Sequence, residues 1–167
     1  NINGLCRIAL DKLKKTYEQD IQEKNIRIVF DNLTLSLMME VNVEQFSKVL
    51  AGILKNSMYA LLKKSETVTF SPEIFLGLKV NKDMLEITIR DNGSGIDENI
   101  KDKIFAPFFT TKTTGEAAGV GLYLCREIVQ NHRGTIEVES KKGEYTQFLI
   151  TIPVYQPKTI TPPKEEE

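Results

Sequence analysis

A carboxylate followed by two glycines, Asp91-Asn92-Gly93-Ser94-Gly95, is the stretch of this chain best suited to chemistry. Asp91 leaves the run Leu85-Glu86-Ile87-Thr88-Ile89-Arg90, whose strict apolar and polar alternation has the period of a half-buried strand. Gly93 and Gly95 free the next residues to take positive φ or to approach a flat ligand closely. A carboxylate held beside them can accept a hydrogen bond from an exocyclic amine such as adenine's. Taken alone, the stretch reads first as a tight turn with an Asx cap.

Two other places carry chemical potential. Asn56 sits at the edge of an apolar helical face between Leu54 and Met58, where an unbonded amide is costly, so it is either satisfied by backbone or reserved for a ligand. Residues 110–121, Thr-Thr-Lys-Thr-Thr-Gly-Glu-Ala-Ala-Gly-Val-Gly, are small and flexible and run into a helix with Leu122, Cys125, Ile128 and Val129 on one face. A glycine-rich loop feeding a helix N-terminus offers free N–H groups and the positive end of a dipole, a seat for phosphate; simple loop flexibility is the alternative.

The elements that must position these residues follow from periodicity. Residues 5–23 predict an amphipathic helix with Leu5, Ile8, Ala9, Leu13, Tyr17 and Ile21 inward. Residues 26–31 predict a strand and residues 35–41 a second short one beside it, a two-strand edge. Asn42 is placed to cap a long helix, with Gln45 reaching back, whose core stripe is Phe46, Val49, Leu50, Ile53, Leu54, Ser57 and Leu61. Gly52, Asn56, Ala60 and Lys63 line an adjacent stripe. A hairpin through Asn81-Lys82-Asp83 delivers Asp91 to the end of the sheet. Isoleucines at 96, 100 and 104 predict a short helix, stopped at Phe105-Ala106-Pro107-Phe108-Phe109, of which at least one aromatic is core. Strands at 135–140 and 146–153 close the chain, and the Pro- and charge-rich residues 156–167 predict a disordered linker.

Composition limits the classes of function. The 167 residues, 41% hydrophobic, suit one domain, set at residues 1–155 with the tail beyond it. A net charge of −1 leaves no electrostatic footprint for nucleic acid or for direct membrane contact. Cys6 and Cys125 lie far apart among apolar residues, with no ligand spacing around them, and read as buried free thiols of a reducing, cytoplasmic compartment. No apolar run is long enough for a membrane span. The chain begins at Asn1 without a methionine, so it is expected to be a piece of a longer protein, with any anchor or partner domain upstream.

The order and spacing of these stretches resemble the catalytic ATP-binding domain of sensor histidine kinases, in the superfamily of gyrase, chaperone and mismatch-repair ATPases. Asn56 within residues 53–61 resembles the N box, Asp91 to Gly95 the G1 box, residues 103–112 the F box and residues 115–122 the G2 box, a likeness running from about residue 5 to 153. Thr110-Thr111-Lys112 is most similar to the nitrogen-regulation branch. The resemblance implies an α+β fold, a two-layer α/β sandwich of the Bergerat type with helices on one face of a mixed, largely antiparallel sheet. It implies ATP and Mg²⁺ as ligands. Asp91 would take the adenine amine in a pocket shaped by Gly93, Gly95 and Ile96, and Thr146 would support the base. Asn56 would offer its carbonyl oxygen to Mg²⁺. Gly119, Val120, Gly121 and Leu122 would cradle phosphates, Lys112 would reach the terminal ones, and Lys63 is a further phosphate candidate. The implied reaction donates the γ-phosphoryl group to a histidine on a separate dimerisation domain of the same parent protein, with a response regulator downstream. His132, the only histidine, matches a His-x-Gly connector and is expected to cap a helix C-terminus rather than accept phosphate. Two departures stand out. The G2 box has Ala117 and Ala118 where the pattern is richer in Gly and Thr, and Gly52 stands where the superfamily's hydrolases carry a glutamate base, so hydrolysis should be slow. A nucleotide-binding module without turnover, or less favoured a hydrolysing ATPase, are the alternatives.

Overall fold

The computed structural model describes residues 1–109 and 121–154. In chain order these form α1 (Ile2–Thr16), α2 (Glu18–Glu23), β1 (Arg27–Asp31), α3 (Val43–Ser65), β2 (Glu73–Asn81), β3 (Met84–Asp91), a 3₁₀ turn (Lys101–Lys103), α4 (Gly121–Asn131), β4 (Thr135–Lys141) and β5 (Tyr145–Pro153). The strands make one sheet in the order β1-β2-β3-β5-β4, with β1 parallel to β2 and the remaining pairs antiparallel. This is the expected two-layer α+β arrangement.

Alternation decides which face is buried. Ile74 and Leu76 of β2, Leu85, Ile87 and Ile89 of β3, and Phe148, Ile150 and Ile152 of β5 all point to the helices and are buried, whereas Arg90 and Gln147 bond each other on the open face. Against them lies the α3 stripe of Phe46, Val49, Leu50, Ile53, Leu54, Ser57 and Leu61, every member buried as its spacing predicted. Helices α1 and α4 pack on either flank of α3. Both thiols are buried and free, and burial pushes each up to about 12.

Three expectations need correction. The first helix is two, divided at Tyr17, and Ile8 is exposed while Cys6 and Leu10 take the core. Residues 35–41 form no strand. That segment is tied to the start of α1 instead, through Ile2 N to Leu37 O, as is the chain just before it through a reciprocal pair between the Asn3 side chain and the Leu33 backbone, and β1 takes β2 as its partner. The isoleucines at 96, 100 and 104 do not build an α-helix. Asp97 accepts from Asn99 N through its side chain and from Ile100 N through its carbonyl, a tighter turn that ends in the 3₁₀ segment. The expected tail at 156–167 lies outside the described residues.

Candidate functional site

Asp91 ends β3 at the sheet's interior and is 2% exposed. Its Oδ1 accepts from Gly93 N at 2.9 Å, the Asx turn that the sequence allowed. The turn is held from every side. Asn92 accepts from Glu73 N and donates to Ser71 O, Lys64 Nζ donates to Asn92 O, and Ser94 N donates to Ala60 O. Gly93 runs so close to α3 that a Cβ there would stand 2.6 Å from the Ala60 carbonyl carbon. Gly95 has φ +65, and a Cβ on it would collide with the Lys141 carbonyl. Both glycines are therefore demanded by close backbone approach, beyond what a turn alone requires.

Burial pushes the Asp91 carboxyl up to about 6; the Gly93 N–H, the Ser57 hydroxyl and the charges of Lys64 and Arg90 pull it back in part. Ser57 Oγ is buried and directed at this carboxylate without completing a bond of ordinary geometry. Beside Asp91 in the sheet stands Thr146, its register partner on β5, also buried.

These residues floor a cavity of about 440 Å³ between the sheet's end, α3 and the start of α4. Asp91, Ser94, Gly95, Ile96 and Thr146 line one end, with Ile100, Ile104 and Phe148 as apolar walls. Along the side runs a stripe of α3: Gly52, Lys55, Asn56, Tyr59, Ala60 and Lys63. At the far end are Gly121 and Leu122, the first turn of α4. The mouth carries Lys142, whose Nζ is 2.9 Å from Asp97 Oδ2 and holds the Asp97 carboxyl below its usual range. The size and the mix of apolar walls with a few convergent polar groups suit a small-molecule ligand.

The structure thus brings together Asn56, Asp91, Gly95, Ile96, Gly121, Leu122 and Thr146 around one cavity, with Gly93 packed directly behind it. Lys112, Gly119 and Val120 lie outside the described residues. Lys55 and Tyr59 were missed by sequence reasoning, although they share the helical face of Asn56 at three- and four-residue steps. Ile100, Ile104 and Phe148 were also missed, having no polar feature to single them out. Asn56 lines the cavity, and an amide oxygen there could serve as one ligand of a hard cation such as Mg²⁺ that takes most of its ligands from phosphate and water. Among the described residues no group of three His, Cys, Asp or Glu side chains could hold a metal alone. At Gly52 a Cβ would meet Cys125 Sγ at 3.2 Å, so this position is where α4 packs closely on α3.

Known proteins resemble this chain in fold and sequence. The catalytic domain of histidine kinase ThkA superposes with a TM-score of 0.74 at 28% identity, covering 92% of this chain and 93% of that one. Cyanobacterial phytochrome A of Nostoc sp. is 35% identical over 87% of this chain and 18% of its own length. The sensor histidine kinase ZraS of Salmonella typhimurium is 30% identical over 92% of this chain and 30% of its own length. The chain therefore spans less than a third of these curated relatives. Residues 42–156, most of the chain, match the family described as histidine kinase-, DNA gyrase B-, and HSP90-like ATPases, and the chain belongs to that family.

Proposed function

We propose that this domain binds Mg-ATP and donates its γ-phosphoryl group to a histidine on a separate dimerisation domain of its parent protein, with a response regulator downstream. The observation that carries the reading is Asp91, a buried carboxylate at the cavity floor with its Asx turn locked by Gly93 and Gly95. Its ionised oxygens accept from the adenine amine while Ile96, Ile104 and Phe148 cover the ring. The triphosphate then runs along the α3 stripe past Asn56, Lys55 and Lys63 to the N–H groups opening α4 at Gly121, with Gly119 and Val120 assigned to cradle the phosphates beside Gly121 and Leu122 and Lys112 to reach the terminal ones. Asn56 offers the oxygen for Mg²⁺, which when bound supplies charge neutralisation of the phosphates.

Among the described cavity residues the carboxylates are Asp91, at the adenine end, and Asp97, paired with Lys142. Neither is placed to activate water at the phosphate end, and the Gly52 slot is filled by the Cys125 contact. This favours transfer over hydrolysis, because an acceptor imidazole is its own nucleophile. Its ring nitrogen forms the N–P bond as the bond from phosphorus to the β–γ bridging oxygen breaks, ADP leaves, and the ring proton passes to solvent. Catalysis is then mainly positioning and electrostatic stabilisation. The kinship to the nitrogen-regulation branch rests on Thr110-Thr111-Lys112, and a cytoplasmic location is part of the same reading, carried by the two buried free thiols Cys6 and Cys125.

The test is incubation of the chain with γ-labelled ATP, Mg²⁺ and a supplied dimerisation domain. Acid-labile label on that partner supports the reading; tight ATP binding with no transfer would instead make the domain a nucleotide-binding regulatory module.

A further inference from the structure

Behind the cavity, one hydroxyl makes three hydrogen bonds. Ser140 Oγ, near the end of β4 and buried, lies 2.8 Å from Ile96 N, 2.7 Å from Tyr145 O and 3.0 Å from Thr146 Oγ1. A serine hydroxyl has one proton and two acceptor lone pairs, so this set of partners has a single solution. The Tyr145 carbonyl can only accept and takes the Ser140 proton. The Ile96 N–H can only donate and takes one lone pair. The bond to Thr146, which by itself would run either way, must therefore carry the Thr146 proton to the second lone pair of Ser140.

This fixes what Thr146 can offer its other neighbours. With its only proton committed behind the cavity, its hydroxyl presents lone pairs alone to the space it lines. The hydrogen bond that Asp91 Oδ1 accepts comes from Gly93 N, 2.9 Å away. Two side chains adjacent in register, Asp91 and Thr146, thus form a surface that only accepts.

We propose that Ser140 is a specificity-determining positioning residue. By holding the Thr146 hydroxyl as an acceptor it makes the site select a 6-amino purine, which donates, against a 6-oxo purine, which presents an acceptor to two acceptors. Buried groups that need a donor opposite the purine 6-position reject a ligand that places an acceptor there far more strongly than they reject a change of shape. The proposal rests on the reading of Asp91 as the adenine end, and goes beyond it by naming what sets the hydroxyl's direction. Ser140 touches no ligand and acts through Thr146.

The experiment is calorimetric titration of the 167-residue chain with ATP and with ITP, both with Mg²⁺, at pH 7.5. In Ser140→Ala the Thr146 hydroxyl is released to donate, and the Ile96 N–H loses its acceptor. The second effect weakens both nucleotides alike; the first narrows the ATP-to-ITP affinity ratio, by about tenfold. A ratio unchanged while both affinities fall together would make Ser140 a merely structural residue and overturn the proposal. If Ser140→Ala does not fold, Thr146→Val decides, since it keeps the shape and removes the acceptor. Its ratio should narrow, ATP losing an acceptor for its amine and ITP losing one of the two acceptors that oppose its 6-oxo group, and an unchanged ratio overturns the proposal. Failure of the unmodified chain to bind either nucleotide would instead sink the proposed function itself.

Discussion

His132 Nε2 accepts a hydrogen bond from Asn42 N at 3.0 Å, joining the end of α4 to the cap of α3. The other ring nitrogen, Nδ1, is 2.7 Å from Ile128 O and donates to it, so the ring is in its neutral Nδ1–H tautomer and both nitrogens are engaged. Edge-on contact with Phe46, 5.9 Å between centroids, completes the seat. The ring bonds the helix's last turn as expected, but it also takes the place in the capping box that Gln45 was expected to fill. Asn42 Oδ1 still accepts from Gln45 N, while the Asn42 N–H goes to the imidazole. His132→Ala should therefore lose about 1–3 kcal/mol of stability, read by urea denaturation. The isolated chain should take no acid-labile label from γ-labelled ATP. Label that vanished in His132→Ala would overturn this role.

Asp91 couples nucleotide binding and folding to pH with opposite signs. Its carboxyl is raised in the folded chain, so its contribution to stability is fully present below its ordinary value of 3.8 and is lost as pH rises through about 6. The adenine amine needs the ionised form, so ATP affinity should fall about tenfold for each pH unit below about 6. Asp91→Asn should abolish tight ATP binding while melting no lower than the unmodified chain at pH 8. Undiminished ATP affinity in that variant, measured by calorimetry, would remove Asp91 from the site.

Gly95 and Gly143 both have positive φ, but only Gly95 faces backbone at close range. Gly143→Ala meets open space and should cost about 1 kcal/mol of backbone strain, with ATP affinity unchanged. Gly95→Ala adds a collision with the Lys141 carbonyl and should cost more than about 3 kcal/mol together with nucleotide binding. Equal effects of the two substitutions in denaturation and titration would contradict this division.

Asn56→Leu should leave the adenine end intact and remove the response to metal. The readout is ATP affinity in Mg²⁺ against EDTA. Enhancement by Mg²⁺ persisting in the variant would show that Asn56 is not the ligand.

Much of the fold and of the site was legible where the signal is local. The β2–β3 hairpin, the α3 stripe and the Asp91 turn are each written within a few consecutive residues. What failed depended on distant partners. The alternation at residues 35–41 resembles a strand, yet the nearest edge belongs to β2, which reaches β1 only after the α3 crossover, and Leu35 and Met38 are left exposed. The isoleucine repeat after Gly95 is overridden because Ile96 N is bound to Ser140 and the Asp97 carboxylate to Asn99 N and Lys142. Ser140 itself carried no sequence signal: its importance lies in three partners that meet only when β4, β5 and the Asp91 loop are packed.

The place of β3 between β2 and β5 bears on how the chain acquires its pocket during synthesis. Asp91 emerges from the ribosome long before its neighbour Thr146, and until β5 arrives one side of that strand has no partner. A nascent chain that ends before β4 and β5 thus carries the carboxylate without the Thr146 hydroxyl beside it or the Lys141 backbone that Gly95 packs against. Nucleotide protection against proteolysis should then appear only once β5 is released, so that ATP reports on completion of the sheet. Chains truncated at residue 134 and at residue 154 measure it, and protection already present in the shorter one would count against this order of assembly.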